Sequence, residues 1–368
     1  MNYPHDIPAA YDDTPLDRIS RQLIADDLDQ FRQEINNALA PQAEYLTPLE
    51  HQLYAGGKKI RPAMMFLSAR MICGDAPVSA KAVKGAASLE ILHVATLIHD
   101  DIVDDAMIRR GLPSISAERG YKKALLVGDL QFVQAIRGFV DAIDTESDMA
   151  LVRLVLDTAF NICRGELDEL NIEFSDDYGE MRNQYFKMID RKTAVLFGLA
   201  CEAGVSLAGG RTHEARRAGF FGRRFGHAFQ IVDDLLDIVR NETSAGKTPG
   251  TDLMQHRWSL PLIYAAEEFG QDHPIFRSLV KGEPLGEIEF RRSLTDLKQS
   301  KAFDRAYADA RTAALESLFY LQHFPESTYR DALEELAMHI VDQHIESSTQ
   351  SHIKIQTPAS NEMKGRPR

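Results

Sequence analysis

The sequence predicts an all-α fold in one large domain of about ten helices. Apolar residues recur at helical spacing through most of its 368 residues, as they do between Leu23 and Leu39. No stretch alternates apolar and polar residues in the way that a half-buried strand would. Two apolar segments, 89–111 and 229–238, each carry an Asp-Asp-x-x-Asp cluster, which places acids on helices that enter a core. These observations predict a helical domain around one cavity with acids on facing walls.

Glycine, proline, aspartate and serine residues mark the ends of the predicted helices. A break is expected near Asp190, and residues 1–15 and 347–368 are polar enough to be expected as disordered tails of a domain that spans 16–346. No linker between separate cores is visible. The predicted helices are 16–40, 62–73, 79–107, 121–142, 148–173, 177–208, 211–239, 258–269, 287–298, 303–322 and 327–346.

Composition excludes several classes of protein. A net charge of −13 disfavours a general nucleic-acid binder, although a local basic pocket remains compatible with it. No run reaches the roughly 18 apolar residues of a membrane span, and the start lacks a signal-peptide pattern, so a soluble cytoplasmic protein is expected. Three cysteines, Cys73, Cys163 and Cys201, lie in apolar helical contexts and are expected to be buried thiols.

The two acid clusters are the main chemical signal. Within each cluster the first and last aspartates are one helical turn apart and share a face. A single cluster is often only a solvated helix face, but two in apolar surroundings favour a buried site, where carboxylates need cations. Oxygen ligands without histidine or cysteine favour Mg²⁺, which completes its shell with water and substrate phosphate. The six residues are Asp100, Asp101, Asp104, Asp233, Asp234 and Asp237.

Cations lie close to both clusters in the sequence. Each one alone is best explained as a solvated surface charge, but their placement indicates sites for phosphate groups. These cations are Lys58, Lys59, Arg61, Arg109, Arg110, Lys192, Lys247 and Arg257. Three polar residues also interrupt apolar runs and are either buried hydrogen-bonding groups or ligand contacts: His93, Thr193 and Gln230.

Over roughly residues 20–345 the chain resembles the trans-polyprenyl diphosphate synthases. Any one motif is modest evidence, whereas their order and spacing together are specific. The motifs are GGKKIRP (56–62), LHVATLIHDDIVD (92–104), RRG (109–111), VGDL (127–130), GEL (165–167), KTAVLF (192–197), FQIVDDLLD (229–237), GKTPGTDL (246–253) and SLPLIYA (259–265).

The resemblance implies antiparallel helices around a central cavity (the isoprenoid synthase type I fold), usually in a homodimer. It implies head-to-tail condensation of isopentenyl diphosphate with an allylic diphosphate. Asp100, Asp104 and Asp233 would bind Mg²⁺ directly, and the other three aspartates would support them. The allylic diphosphate would contact Arg109, Lys192 and Lys247. Isopentenyl diphosphate would contact Lys58, Arg61, His93 and Arg110.

Further expectations follow from the family pattern. Thr193 and Gln230 would offer oxygen dipoles to the allylic cation, and the released diphosphate would take the proton. Ala95 and Thr96 precede Asp100 at positions where short-chain enzymes often carry bulky groups. Their small size predicts a product longer than farnesyl, whose release would involve peripheral membrane contact.

The sequence also departs from the family pattern. His256-Arg257 replaces the common Gly-Lys, so a substrate contact of Arg257 is an open question, and Asp168 or Glu169 stands where a Gln is common. The alternatives are a short-chain geranylgeranyl or farnesyl synthase, a class I terpene cyclase, and a non-catalytic regulatory subunit. A cyclase usually has one aspartate-rich motif and needs no second diphosphate site, whereas a regulatory subunit usually loses an acid cluster.

Overall fold

The computed structural model describes residues 14–143, 149–239 and 249–353, with side chains up to residue 342. Seventeen α-helices lie in these ranges, and the all-α prediction is confirmed. The first eight are α1 Pro15–Leu23, α2 Ala25–Leu39, α3 Pro48–Ala55, α4 Ile60–Cys73, α5 Ala80–Val103, α6 Ile115–Arg119, α7 Tyr121–Asp141 and α8 Met149–Leu170. The others are α9 Tyr178–Ile189, α10 Val195–Leu207, α11 Thr212–Val239, α12 Thr251–Met254, α13 Leu260–Phe269, α14 Pro274–Lys281, α15 Glu287–Lys298, α16 Lys301–Leu321 and α17 Thr328–Ile353.

Several helix boundaries differ from the prediction. The predicted helix 16–40 is broken at Ile24, which leaves the helical region with φ −135° and ψ 23°. Helix α5 ends at Val103 because the chain turns there, with Asp105 at φ 48°. The predicted break near Asp190 is a π-turn at Asp190–Ala194. The last helix continues to Ile353, beyond the expected domain end at 346.

Most of the elements that helical periodicity failed to predict are short. Helices α3, α6, α12 and α14 have eight residues or fewer, too few to repeat an apolar pattern. A hairpin of two short strands pairs Ile108–Arg109 with Leu112–Pro113, although the sequence predicted no strand. Its turn residues, Arg110 and Gly111, have φ values of 52° and 78°, as a tight type I′ hairpin turn requires.

Helices α4, α5, α10 and α11 form the centre of the bundle. α10 packs between α4 and α11, and α5 packs against α7. One apolar cluster surrounds α4, α5 and α10, and a second lies among α11, α13 and α16, so α11 borders both. Three phenylalanines from α10 and α11 are completely buried at this junction: Phe197, Phe221 and Phe225.

Buried polar pairs join helices that are distant in sequence. Arg70 of α4 binds both carboxylate oxygens of Asp27 of α2, at 2.6 and 2.8 Å. The expectation of buried cysteines holds for Cys201 and is wrong for Cys163, which lies on an exposed face of α8. Within the described residues, every helix is too short or too polar to cross a lipid bilayer.

Candidate active site

Both acid clusters open into one cavity of about 990 Å³. Its walls include residues of helices α4, α5, α8, α9, α10, α11, α12 and α17 and of the π-turn. The cavity-lining aspartates of the two clusters are Asp100 and Asp104 of α5 and its C-terminal turn, and Asp233, Asp234 and Asp237 of α11. The prediction of acids on facing walls of one cavity agrees with this arrangement.

The three acids of the first cluster have different environments. Among the described residues, the buried Oδ1 of Asp100 has no hydrogen-bond partner. Asp104 forms an ion pair with Arg257. Asp101 is 1% exposed, does not line the cavity, and accepts a 2.6 Å hydrogen bond from Nε of Arg109. Burial raises the pKa values of Asp101 and Asp104, and their arginine partners oppose that shift.

The second cluster is tied to the surrounding backbone and side chains. Asp234 is buried, and its two oxygens accept hydrogen bonds from Tyr185 at 2.6 Å and Gln230 at 2.9 Å. Asp237 accepts a 3.0 Å hydrogen bond from the backbone N–H of Asp252 in α12. Asp233 lies exposed in the cavity. The three carboxylates therefore differ in burial and in surroundings.

A group of cations lies at the start of α4. Lys59 has a left-handed φ of 52°, and its Nζ lies 2.8 Å from Oε1 of the buried Glu90. Nη1 of Arg61 lies 3.1 Å from Nε2 of His93, and its guanidinium stacks on Phe197 at 4.4 Å. Burial lowers the pKa of Arg61 to about 10, while Glu90 works in the opposite direction.

His93 is held neutral in this group. Burial and the positive charge of Arg61 lower its pKa well below 6.5. Arg110 reaches the same group from the hairpin turn, and its guanidinium lies so close to Gly57 that a Cβ there would collide with it. Among the described residues, Nε of Arg61 is buried and has no hydrogen-bond partner. This N–H group of Arg61 is therefore available to bind an anion.

The π-turn directs Lys192 and Thr193 into the cavity. A Cβ on Gly165 would clash with the backbone of Lys192, so glycine permits α8 to approach the turn this closely. Nζ of Lys192 lies 2.8 Å from Glu166 and 2.6 Å from Glu169. Burial and the negative charge of Asp100 raise the pKa of Glu166 to about 8.

Most sequence-predicted site residues line this cavity. Asp101 and Ala95 do not, although Thr96 does, and Lys247 lies outside the described residues. The predicted residues that line it, besides the five aspartates and Thr96, are Lys58, Lys59, Arg61, His93, Arg109, Arg110, Lys192, Thr193, Gln230 and Arg257.

The structure adds residues that sequence reasoning missed or noted only as departures. Glu90, Glu166, Glu169 and Asp252 bring four more carboxylates to the cavity. Burial and the nearby Asp237 raise the pKa of Asp252 to about 7. Glu166 and Glu169 are three residues apart on a predicted helix and share a face, and this spacing could have indicated them. The contribution of α17 to the cavity wall, through Leu336, His339 and Ile340, had no local sequence signal.

The acidic residues fit a divalent cation that is shared with a substrate. No three histidine, cysteine, aspartate or glutamate side chains converge as a complete metal site within the described ranges. Mg²⁺ commonly takes only one or two carboxylates and fills its remaining positions with water and phosphate oxygens. The unpartnered Oδ1 of Asp100 is an available oxygen of the required kind.

An all-α bundle whose cavity combines two aspartate clusters with surrounding cations defines an isoprenoid-type prenyltransferase. The chain belongs to the polyprenyl synthetase family, whose sequence pattern matches residues 42–295. The heptaprenyl diphosphate synthase component 2 of Geobacillus stearothermophilus is 31% identical over 86% of this chain and 96% of that protein. A geranyl-diphosphate-specific all-trans-nonaprenyl-diphosphate synthase of Rhodobacter capsulatus is 34% identical over 87% and 95%.

A solved structure shows the same fold. The polyprenyl synthase of Caulobacter crescentus, crystallised with calcium and isoprenyl diphosphate, superimposes with a TM-score of 0.77. It is 29% identical, and the match covers 89% of this chain and 98% of that one. The fold that the resemblance implied is thereby confirmed.

Proposed function

We propose that this protein is a Mg²⁺-dependent trans-polyprenyl diphosphate synthase. It condenses isopentenyl diphosphate with an allylic diphosphate to form an all-trans product longer than farnesyl diphosphate. The observation that carries the proposal is the single cavity that combines both acid clusters with the Lys58–Arg61 and Arg109–Arg110 cations. A reaction between two diphosphates needs counter-charges for both, and this cavity contains them.

Asp100, Asp104 and Asp233 would hold Mg²⁺ directly. Asp101 and Asp234 are buried, Asp237 accepts a hydrogen bond from the backbone of Asp252, and these three would support the ligands. Bound Mg²⁺ neutralises the negative charge that develops on the departing diphosphate. The structure of the Caulobacter crescentus polyprenyl synthase with bound calcium supports a divalent-ion requirement for this family.

The cations would divide between the two substrates. Three cations lie beside the first acid cluster or contact it: Arg109, Lys192 and Arg257. Together with Lys247, they would bind the allylic diphosphate. Isopentenyl diphosphate would be bound by Lys58, Arg61, His93 and Arg110. The buried, unpartnered Nε of Arg61 supports this assignment, because an anion would satisfy it.

The proposed reaction starts with cleavage of the allylic carbon–oxygen bond, which releases diphosphate. The resulting cation is protected from water by apolar cavity residues such as Leu196 and Phe229. Thr193 and Gln230 offer dipoles to the cation. The alkene of isopentenyl diphosphate then forms the new carbon–carbon bond, which leaves a tertiary cation on the added unit. The released diphosphate accepts the proton lost from the carbon next to that cation, and a new double bond forms.

Two observations support a long product. Thr96 is a small side chain on the cavity wall one turn before Asp100, so the space beside the first acid cluster is not closed by a bulky group. The two similar relatives carry the names of heptaprenyl and nonaprenyl synthases. Both observations favour extension beyond farnesyl diphosphate.

The proposed enzyme acts as a homodimer through neighbouring helices α7 and α8. On α7, Leu126 and Val133 are one heptad apart and 66% and 62% exposed. On α8, Leu156, Phe160 and Leu167 continue an exposed apolar stripe. Extended apolar faces of this kind mark protein–protein contacts, and a second copy would cover both.

A product assay tests the proposed activity. Purified protein is incubated with isopentenyl diphosphate and dimethylallyl, geranyl or farnesyl diphosphate, with Mg²⁺ or with chelator, and the dephosphorylated products are sized. A Mg²⁺-dependent series of linear prenols longer than farnesol is expected. A cyclised hydrocarbon formed from one substrate would instead identify a terpene cyclase, and no turnover would indicate a subunit that needs a partner.

A further inference from the structure

A hydrogen-bonded chain of four side chains lies along the cavity wall and ends at the buried Tyr185. Oγ1 of Thr193 lies 2.7 Å from Oε1 of Gln230, and Nε2 of Gln230 lies 2.9 Å from Oδ1 of Asp234. The other oxygen of Asp234 lies 2.6 Å from the hydroxyl of Tyr185. The chain joins α9, the π-turn and α11. We refer to it as the Tyr185 relay.

The chemistry of its members fixes the direction of each hydrogen bond. The phenol of Tyr185 has a single O–H group and donates it to Oδ2 of Asp234. The amide nitrogen of Gln230 donates to Oδ1 of the same residue. Each carboxyl oxygen of Asp234 therefore accepts one hydrogen bond.

The direction at Asp234 determines the direction at Thr193. Because the amide nitrogen of Gln230 faces the carboxylate, its carbonyl oxygen faces Thr193 and can only accept. The hydroxyl proton of Thr193 is therefore donated to Gln230. A helical threonine commonly donates to the carbonyl four residues earlier, but the π-turn places this hydroxyl against α11 instead.

We propose that Tyr185 is a positioning residue for prenyl transfer, acting through Asp234 and Gln230 to orient the Thr193 hydroxyl. With its proton donated away from the cavity, Thr193 presents only oxygen lone pairs to the bound substrate. Lone pairs stabilise the allylic cation, whereas a hydroxyl proton in their place would repel it. This inference rests on the proposed prenyl transfer and extends it to a residue whose hydroxyl is fully used within the protein.

A double-mutant cycle separates this role from a purely structural one. Tyr185→Phe is expected to lower kcat about tenfold, the effect of one lost hydrogen bond, with KM for both diphosphates within about twofold of wild type. Thr193→Val removes the hydroxyl that the relay orients. In the Thr193→Val background, Tyr185→Phe should change kcat by less than about twofold.

Tyr178→Phe is the matched control. Tyr178 lies on the same helix and donates a 3.2 Å hydrogen bond to the carbonyl of Ala266, but it does not line the cavity. This substitution should leave kcat unchanged. Thr193→Ser, which keeps the hydroxyl, should restore both the activity and its sensitivity to Tyr185→Phe.

Each remaining outcome overturns the inference. If Tyr185→Phe lowers kcat equally in wild type and in Thr193→Val, Tyr185 acts only on the fold. A change in KM alone would lead to the same conclusion. If Tyr185→Phe does not fold, Tyr185→Met, which also lacks the hydroxyl, enters the same cycle with the same criterion. A wild-type protein that forms only a cyclised hydrocarbon would overturn the proposed function and the relay with it.

Discussion

Arg257 forms an ion pair with Asp104 although 153 residues separate them in the chain. The guanidinium lies just before α13, and the carboxylate lies at the end of α5. Both side chains are partly shielded, at 28% and 20% exposed. The pair brings the segment before α13 against the first acid cluster and leaves a fixed positive charge where a diphosphate would approach.

Arg257→Met should weaken binding of the allylic diphosphate. The loss of this charge is expected to raise KM for the allylic substrate about tenfold or more, and Arg257→Lys about threefold, because lysine keeps the charge but loses the planar fork. Steady-state kinetics with the allylic substrate varied gives both values. Arg32→Met, at a remote exposed ion pair, is the control. An unchanged KM in Arg257→Met would exclude a substrate contact.

Asp100→Asn should abolish most of the turnover while the protein remains folded. Its unpartnered carboxylate oxygen is the proposed metal ligand, and kcat is expected to fall at least about a thousandfold. Binding of Mn²⁺, followed by electron paramagnetic resonance, should weaken in parallel. Asp105→Asn is the control, because this neighbouring exposed residue has a positive φ that asparagine also tolerates. Equal Mn²⁺ affinities for the two variants would contradict the assignment.

Thr96→Phe should shorten the product. Thr96 lines the cavity one turn before Asp100, and a phenyl ring there would occupy space needed by the growing chain. Chromatography of the dephosphorylated products should show a shift to fewer isoprene units. Thr96→Val, of nearly equal size, should leave the length unchanged. An unaltered distribution in Thr96→Phe would place the limit of chain length elsewhere.

Glu166 should make the metal-free protein less stable as the pH rises from about 4.5 to about 8. Glu166 retains its proton up to about pH 8 in the folded protein but loses it near 4.5 when unfolded. The folded state therefore binds more protons in this window, and the free energy of unfolding decreases as pH increases.

Glu166→Gln should flatten this pH dependence, as measured by urea unfolding at several pH values in chelator. Glu283→Gln, at an exposed ion pair, should retain the wild-type slope. A slope in Glu166→Gln equal to that of wild type would show that Glu166 does not titrate in this range.

Phe160→Glu combined with Val133→Glu should produce a monomer. Two charges in the exposed apolar face of α7 and α8 would have to be buried in the proposed dimer, at a cost of several kcal/mol. Sedimentation velocity gives the oligomeric state. Phe319→Glu, on the exposed face of α16, should leave the dimer intact. A double variant that remains dimeric would place the interface on another surface.

The helical architecture and the residue types that line the cavity could be predicted from the sequence alone. Helical periodicity and the one-turn spacing of Asp100–Asp104 and Asp233–Asp237 are local properties, so they can be read without knowledge of the fold. Helix α15 falls on the predicted 287–298 for this reason. Short helices such as α14 escaped prediction because eight residues contain too little periodic signal.

The tertiary structure alone decided which of these residues face the cavity and which partners they have. Asp101 points away from the cavity to Arg109, whereas Arg257 reaches Asp104 from a distant segment. The orientation of Thr193 depends on a π-turn and on a buried tyrosine. Backbone irregularities and long-range pairings redirect side chains by interactions between distant segments, and no local pattern in the sequence contains those interactions.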